Sequence, residues 1–283
     1  MPLMRARITI GIDGGGSGCR VAIRLPGGGV LRVDGGPANA FTDAGRAGVE
    51  ISETLGRALD QAGLTRAVLP RARICAGVAG CRLPPLAAEL AARLPFPARI
   101  VDDSETTLHG AFAGGDGTLA SLGTGSFFIR KAGGHLTHLG GWGFALGDEG
   151  SGAWLGRRAV ALSLKAVEGR IAADALSDAL MARLAPHPLI TLRDAAPVDY
   201  AALAPVVLDH AGSALGQCLI GEAVAEVTRA LDDLGHVPGA PLVLTGGFGK
   251  ALAMHLPEGL RAGLVPAKGS ALDGALAMAA ALP

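Results

Sequence analysis

The sequence is short of aromatic residues, short of cysteine and without an excess of charge. Seven Phe, two Trp and one Tyr in 283 residues leave few side chains to stack on bases. The 25 basic and 25 acidic residues are scattered, not striped. Together these features argue against a nucleic-acid groove or an anionic membrane as partner. The four cysteines, Cys19, Cys75, Cys81 and Cys218, form no CxxC pair and show no metal spacing. They are expected as buried free thiols of a cytoplasmic protein. Mean hydropathy is +0.40, yet no run approaches the ~20 apolar residues of a membrane span. The opening MPLMRARITIGID reaches Asp13 too soon for a signal peptide.

What the chain has in quantity is glycine, 44 residues. The densest use is ITIGIDGGGSGCRVAI, residues 8–23. Ile8, Ile10 and Ile12 alternate with Thr9, Gly11 and Asp13, and Val21 and Ile23 resume the pattern after the turn. This predicts a hairpin with Asp13 at the end of its first strand. Gly14, Gly15, Gly16 and Ser17 form a turn whose backbone can wrap phosphate oxygens and offer them N–H groups. An Asp beside phosphate makes sense when Mg²⁺ or its water shell lies between them. The turn is neither GxGxxG nor a P-loop.

VLRVDGG (30–36) adds a third strand to an antiparallel meander. Asn39 lies in the next loop, as a turn residue or as an amide that reads a substrate hydroxyl. Thr42 is the expected N-cap of an amphipathic helix that ends at Gly63. RARICAGVAG (71–80) reads as a buried strand, and Pro84 and Pro85 open a helix to about Leu94. Ile100 and Val101 end another strand, with Asp102 and Asp103 at its carboxyl tip, where α/β sheets bind ligands. One of this pair caps the following helix. The other is the first candidate for a general base.

GTLASLGTGSFFIRKAGG (117–134) repeats strand, glycine turn and strand, with Gly123, Thr124, Gly125 and Ser126 in the turn. The repeat implies two similar halves, each presenting a phosphate-holding hairpin to one cleft. From residue 138 a glycine-rich loop carries Trp142 and leads through Asp148, Glu149 and Ser151 into a long helix. The acids suit a helix start. Two acids beside a Trp also suit a sugar, whose hydroxyls donate to carboxylates while the ring covers an apolar face. Helices fill 170–234, with a break near Gly212 or Gly216. Pro241–Leu244 is a strand ending at Gly246 and Gly247, a third glycine turn suited to a nucleoside or its phosphates. LVPA (264–267) reads as a last strand, and Ser270–Ala280 as a final helix with Asp273 on its first turn.

GIDGGGSGCR, the Asp-Asp strand tip, SLGTGS, GGWGFALGDEGSGAWLG, LTGGFG and GSALDGALAMA together resemble the BadF/BadG/BcrA/BcrD ATPase family. They are most similar to its N-acetylglucosamine kinase branch. The motifs run in order along almost the whole chain. The resemblance implies an α/β fold of two ribonuclease-H-like, actin/hexokinase-type domains facing across a nucleotide cleft. The domains would be residues 1–105, joined by the helix 270–283, and residues 106–269. It implies ATP and Mg²⁺ as cofactors, an amino sugar as substrate and a homodimer. Carried over by position, Asp13 orients Mg²⁺ through its water shell, and Gly14–Ser17 meet the terminal phosphates of ATP. Asp103 is the catalytic base, judged by the Gly110-Ala111 that follows. Gly123, Thr124 and Gly125 form the second phosphate hairpin, and Gly246 and Gly247 the adenosine motif. Asn39, Trp142, Asp148 and Glu149 lie on the sugar side, and Asp273 near the nucleotide.

The activity so implied is transfer of the γ-phosphoryl group of ATP to the 6-hydroxyl of an amino sugar, N-acetylglucosamine before glucosamine. Two other classes stay open. An activase would couple ATP hydrolysis to electron transfer through a shared iron–sulfur cluster and needs cysteines near the nucleotide. A nucleotide-dependent sensor is the third reading, although nothing like a helix–turn–helix precedes residue 8.

Overall fold

The structure is a computed structural model that describes residues 8–25 and 27–283. The stretch 1–7, on which the signal-peptide reading rested, lies outside the described residues. The alternating residues of the first hairpin form β1 (Thr9–Gly14) and β2 (Cys19–Arg24), and β3 (Val30–Gly35) completes the meander. Helix α1 (Ala40–Gln61), β4 (Arg73–Val78), α2 (Pro84–Arg93), β5 (Arg99–Val101) and α3 (Asp103–Phe112) follow. The sheet order is β3-β2-β1-β4-β5, with β1, β4 and β5 parallel.

Asn39, not Thr42, caps α1: its Oδ1 accepts from the Phe41 N–H at 2.9 Å. The helix then breaks at Asp43, whose φ and ψ are −163° and 101°. Asp43 Oδ1 accepts from the Arg46 N–H at 2.9 Å and restarts it. Both residues act as Asx caps, since their short side chains compete with the helical backbone for its own donors.

The second sheet repeats the plan. Strands β6 (Gly117–Leu122), β7 (Ser126–Ala132) and β8 (His135–Gly140) form a second antiparallel meander. Helices α4 (Gly152–Val167), α5 (Ala175–Arg183), α6 (Pro188–Thr191), α7 (Pro197–Ala201), α8 (Ala204–Asp209) and α9 (Ala214–Asp233) come next. Then β9 (Leu242–Thr245) enters beside β6 in parallel, giving the order β8-β7-β6-β9, before α10 (Gly247–Leu252) and α11 (Glu258–Ala262). Residues 138–140, expected as loop, belong to β8. That edge strand shows little apolar alternation because none of its residues is buried. LVPA is not a strand: Leu264 makes a single bridge to Leu242, and Pro266 has no N–H to extend it.

The last helix, α12 (Ala271–Ala280), rejoins the first sheet. The chain thus forms two compact units: residues up to Asp116 together with Pro266–Pro283, and Gly117–Val265. The first runs past the residue-105 boundary expected from the sequence because α3 packs closely on α12. A β-carbon on Gly110 would lie 2.0 Å from the Ser270 carbonyl oxygen, and one on Gly274 1.9 Å from that of Thr106. Only hydrogen fits at these two positions. Each unit has its own core, around Ile10, Ile12, Ile51 and Leu55 in the first and Leu122, Leu155, Leu219 and Val227 in the second. Among the described residues, no single helix is long and apolar enough to cross a membrane.

Candidate active site

In the first unit the register of the parallel strands lines up the candidates. Asp13 pairs with Gly77, and Gly77 with Val101. Neighbouring strands lie ~4.8 Å apart, so Asp13 and the residues just after Val101 share one edge of the sheet. Asp102 is the cap of α3. Its Oδ1 accepts from the Ser104 N–H at 3.2 Å and from the Ser104 hydroxyl, and its Oδ2 accepts from the Arg82 N–H at 3.1 Å. Asp103 is thereby left as the other member of the pair. Burial pushes its carboxyl up to about 7, helped by the negative charges of Asp102 and Asp13. Burial also raises Asp13, against the Arg20 guanidinium, which donates to it at 3.2 Å.

The first turn is held from behind. Gly15 N–H donates to the Gly18 carbonyl at 2.9 Å, and Ala38 N–H to that of Gly15 at 2.9 Å. Gly16 and Ser17 are exposed at its crown. Beside the crown lies a cavity of about 120 Å³, lined by Gly16, Asn39, Thr42, Asp43 and Arg46 among others. Asn39 has its carbonyl oxygen engaged in the cap, so its NH₂ is the group left for a ligand. Asp273, expected near the nucleotide, is engaged within the unit. It closes the capping box of α12 with Ser270 and accepts from Arg32 at 2.8 Å. The Ser270 hydrogen bonds, with Arg32, hold its carboxyl below the usual range.

In the second unit the start of α4 holds the turn after β6. Gly152 N–H donates to the Gly123 carbonyl at 2.9 Å and Ala153 N–H to that of Thr124 at 3.2 Å. Gly246 adopts φ +82°, and a β-carbon there would sit 2.3 Å from the Leu122 carbonyl oxygen, so glycine is required. A cavity of about 600 Å³ opens against Gly123, Thr124 and Gly247. Its apolar wall includes Leu208 and Phe248, and Asp209 is its one charged lining residue among the described residues. The α7–α8 wall was not legible in the sequence, where no periodicity or motif marks it.

Trp142 is 63 % exposed on the loop after β8, and Glu149 is exposed at the approach to α4. The same loop carries Phe144, which packs on Tyr200 at 5.3 Å between ring centroids and lies under the Arg157 guanidinium at 4.9 Å. Asp148 differs from its neighbours: it is 7 % exposed and takes the left-handed φ of +63°. Burial raises its carboxyl, and the nearby backbone N–H groups of Ser126 and Gly143 oppose the rise. Ser151, not either acid, caps α4. The structure therefore gathers Asp13, Gly14–Ser17, Asn39 and Asp103 at one edge of the first sheet. It gathers Gly123, Thr124 and Gly247 around one cavity in the second unit, with Gly246 packed against Leu122 and Gly125 against Asp148.

Cys19, Cys75 and Cys81 are buried, and burial pushes their thiols up to about 12, 11 and 12. They are inert and protonated at neutral pH. Cys218 departs from the expected burial and is exposed on α9.

Comparison with known proteins gives the same picture. A glucosamine kinase, GspK, of Vibrio cholerae is 28% identical over 279 residues, 95% of each chain. An N-acetylmuramic acid/N-acetylglucosamine kinase of Clostridium acetobutylicum is 32% identical over 176 residues, covering 58% of this chain and 56% of that protein. A solved structure from Chromobacterium violaceum, provisionally described as an N-acetylglucosamine kinase, superposes with a TM-score of 0.84 at 33% identity. The match covers 96% of this chain and 99% of that one. The fold is thus the actin/hexokinase type, built of two ribonuclease-H-like domains. Residues 10–261 match a single family, and the chain belongs to the BadF/BadG/BcrA/BcrD ATPase family.

Proposed function

We propose that the chain is an ATP-dependent phosphotransferase acting on the 6-hydroxyl of an amino sugar, N-acetylglucosamine first, with glucosamine as the alternative. The named activities of the Vibrio, Clostridium and Chromobacterium relatives support the substrate class. The observation that carries the chemistry is Asp103, a carboxyl raised to about 7 at a strand tip. A base of that strength is matched to taking a hydroxyl proton near neutral pH. In this reading Asp103 accepts the proton of the 6-hydroxyl as that oxygen attacks the γ-phosphorus. The turns Gly14–Ser17 and Gly123–Gly125 receive phosphate oxygens through N–H groups that are not already held within the turn. The apolar cavity against Gly247 and Phe248, beside Gly246, takes the nucleoside. Asn39 through its NH₂, Trp142 and Glu149 meet the sugar.

Among the described residues, no group of three or more His, Cys, Asp or Glu could hold a metal ion. Mg²⁺ carried by ATP keeps several waters and needs one or two carboxylates besides the phosphates. Asp13 fits as that carboxylate: it is partly buried, stands at the mouth of the first turn and needs charge compensation beyond Arg20. Bound there, Mg²⁺ neutralises charge on the phosphoryl oxygens. We place the enzyme in the cytoplasm, where ATP and reduced thiols such as the buried Cys19, Cys75 and Cys81 coexist. We assign it a homodimeric state, to be checked by light scattering.

The deciding measurement is ADP release from ATP with N-acetylglucosamine, glucosamine, N-acetylmannosamine, N-acetylmuramic acid, glucose or no sugar. Release that depends on one amino sugar is expected and fixes the C2 substituent. Release indifferent to every sugar overturns the kinase reading in favour of an activase or sensor.

A further inference from the structure

We propose that the cleft between α1 and α2 is a second ligand site, which takes a sugar phosphomonoester and weakens sugar binding at the candidate active site. The inference rests on the kinase reading, because such a compound is the product of that reaction. It concerns residues to which that reading gives no role. The cleft is a cavity of about 450 Å³, within the ~300–1,000 Å³ of small-ligand sites. Gly45, Gly48, Ser52 and Glu53 of α1 form one wall. Arg93, at the end of α2, forms a second, and Arg66, from the 3₁₀ turn Arg66–Arg71, a third.

The polar groups of the cleft suit that ligand. Arg93 donates through Nε and Nη2 to Glu89 Oε1 at 3.2 and 2.8 Å. This fixes the guanidinium and leaves its Nη1 without a partner among the described residues. Arg66 and Glu53 have no hydrogen bond or ion pair among the described residues either. Two guanidinium groups offer donors to phosphate oxygens. The Glu53 carboxylate opposes a bare polyanion and accepts from sugar hydroxyls. It thus favours a ligand that is anionic at one end and hydroxylated at the other. Val49, 58 % exposed, and Pro95 give the ring an apolar surface to lie on. The floor is open because α1 presents glycine to α2. A β-carbon on Gly45 would lie 3.3 Å from Arg93 Nη1, and one on Gly48 3.2 Å from the Arg93 Cβ.

The cleft backs onto the candidate active site through the first turns of α1. Thr42, Asp43 and Arg46 line the cavity of about 120 Å³ beside the phosphate turn, whereas Gly45, Gly48 and Val49 line the cleft. Asp43 is the break in α1 and caps the helix that restarts behind it. Its Oδ1 would lie 3.2 Å from a β-carbon on Gly45, the same point that lies 3.3 Å from Arg93 Nη1. A phosphate held by Nη1 therefore stands close to the Asp43 carboxylate, and like charges repel. The repulsion disfavours the Asp43 cap, and with it the placement of Asn39 and Thr42 just before it. Binding in the cleft and binding of the sugar then oppose each other, and the opposition is reciprocal.

The test is calorimetric titration of the full chain with N-acetylglucosamine 6-phosphate, while N-acetylglucosamine and ADP at saturation fill the active site. Wild type is expected to bind a single equivalent. Arg66→Ala is expected to weaken that binding about tenfold and Glu53→Gln several-fold, with basal turnover unchanged in both. In turnover assays the 6-phosphate is expected to raise the KM for the sugar in wild type and to do so much less in Arg66→Ala. Product that competes only at the active site would inhibit both alike. No binding with the active site filled, or binding that Arg66→Ala leaves unchanged, overturns the site. Inorganic phosphate that binds as tightly as the 6-phosphate overturns the assignment to a sugar phosphomonoester. Binding in the cleft that leaves the KM of wild type and Arg66→Ala equally affected overturns the coupling. A wild type without sugar-dependent ADP release would instead overturn the kinase reading itself.

Discussion

Asp103 leaves the ordinary carboxylate range because burial removes water and two like charges, Asp102 and Asp13, stand near it. Replacing it by Asn keeps the shape and removes the proton acceptor. Asp103→Asn is expected to bind ATP normally and to lose transfer by a factor on the order of a hundred or more, measured by coupled ADP release. A mutant with near-normal turnover would remove Asp103 from the role. The same carboxyl predicts a pH profile: below about 7 it is protonated, so the rate should fall roughly tenfold per pH unit on the acid side. Stability should run the other way. The folded carboxyl titrates at about 7 and the unfolded one near 3.8, so ionising it costs stability progressively as pH rises between them. Asp103→Asn should therefore melt higher than wild type above pH 7, with the difference vanishing near pH 4. The sequence placed two acids at a strand tip but could not separate them, since adjacent residues differ in direction only once the helix start is fixed. The family resemblance picked Asp103 where local pattern left the choice open, and the Arg82 and Ser104 donors hold Asp102 as the helix cap. The neighbours of Asp273 and Asp148, Arg32 and Gly125, were not legible because they come from distant stretches that no local pattern joins to them.

Among the elements, α3 and α12 bring Asp103 to its place. They touch through Gly110 and Gly274, where any β-carbon would overlap backbone. Gly274→Ala is expected to destabilise the first unit by about 1–3 kcal/mol, the usual cost of overpacking a tight contact. It should also lower kcat by displacing the start of α3. Urea melts and turnover check the two parts separately, and a stable, fully active variant would show that the helices can part at no cost. Most elements were legible from alternation and caps: the two glycine hairpins, the strand before Asp102 and the helix after Ser151. β8 was not, because an edge strand with exposed residues carries no buried face to create a pattern. The start of α1 was misjudged because Asn39, Thr42 and Asp43 are all good caps, and the structure uses the first and third.

At the scale of the whole molecule, two sheets of one plan follow from two glycine hairpins of one plan, which the sequence displayed openly. The return of the chain to its first unit is the less local feature. α12 buries Leu272, Leu276 and Met278 on that unit, each worth ~1.5–3 kcal/mol of apolar burial. Removing residues 266–283 is expected to abolish the melting transition of the first unit and to spare that of Gly117–Val265. Calorimetry would show one transition in place of two, and two surviving transitions would mean that α12 is dispensable. The interrupted layout also sets an order of events during translation. Residues 8–116 are made before the second unit, yet the helix that closes their core is made after the whole of it. The later-born half can finish folding while the earlier one still waits, its sheet face open until α12 has been made.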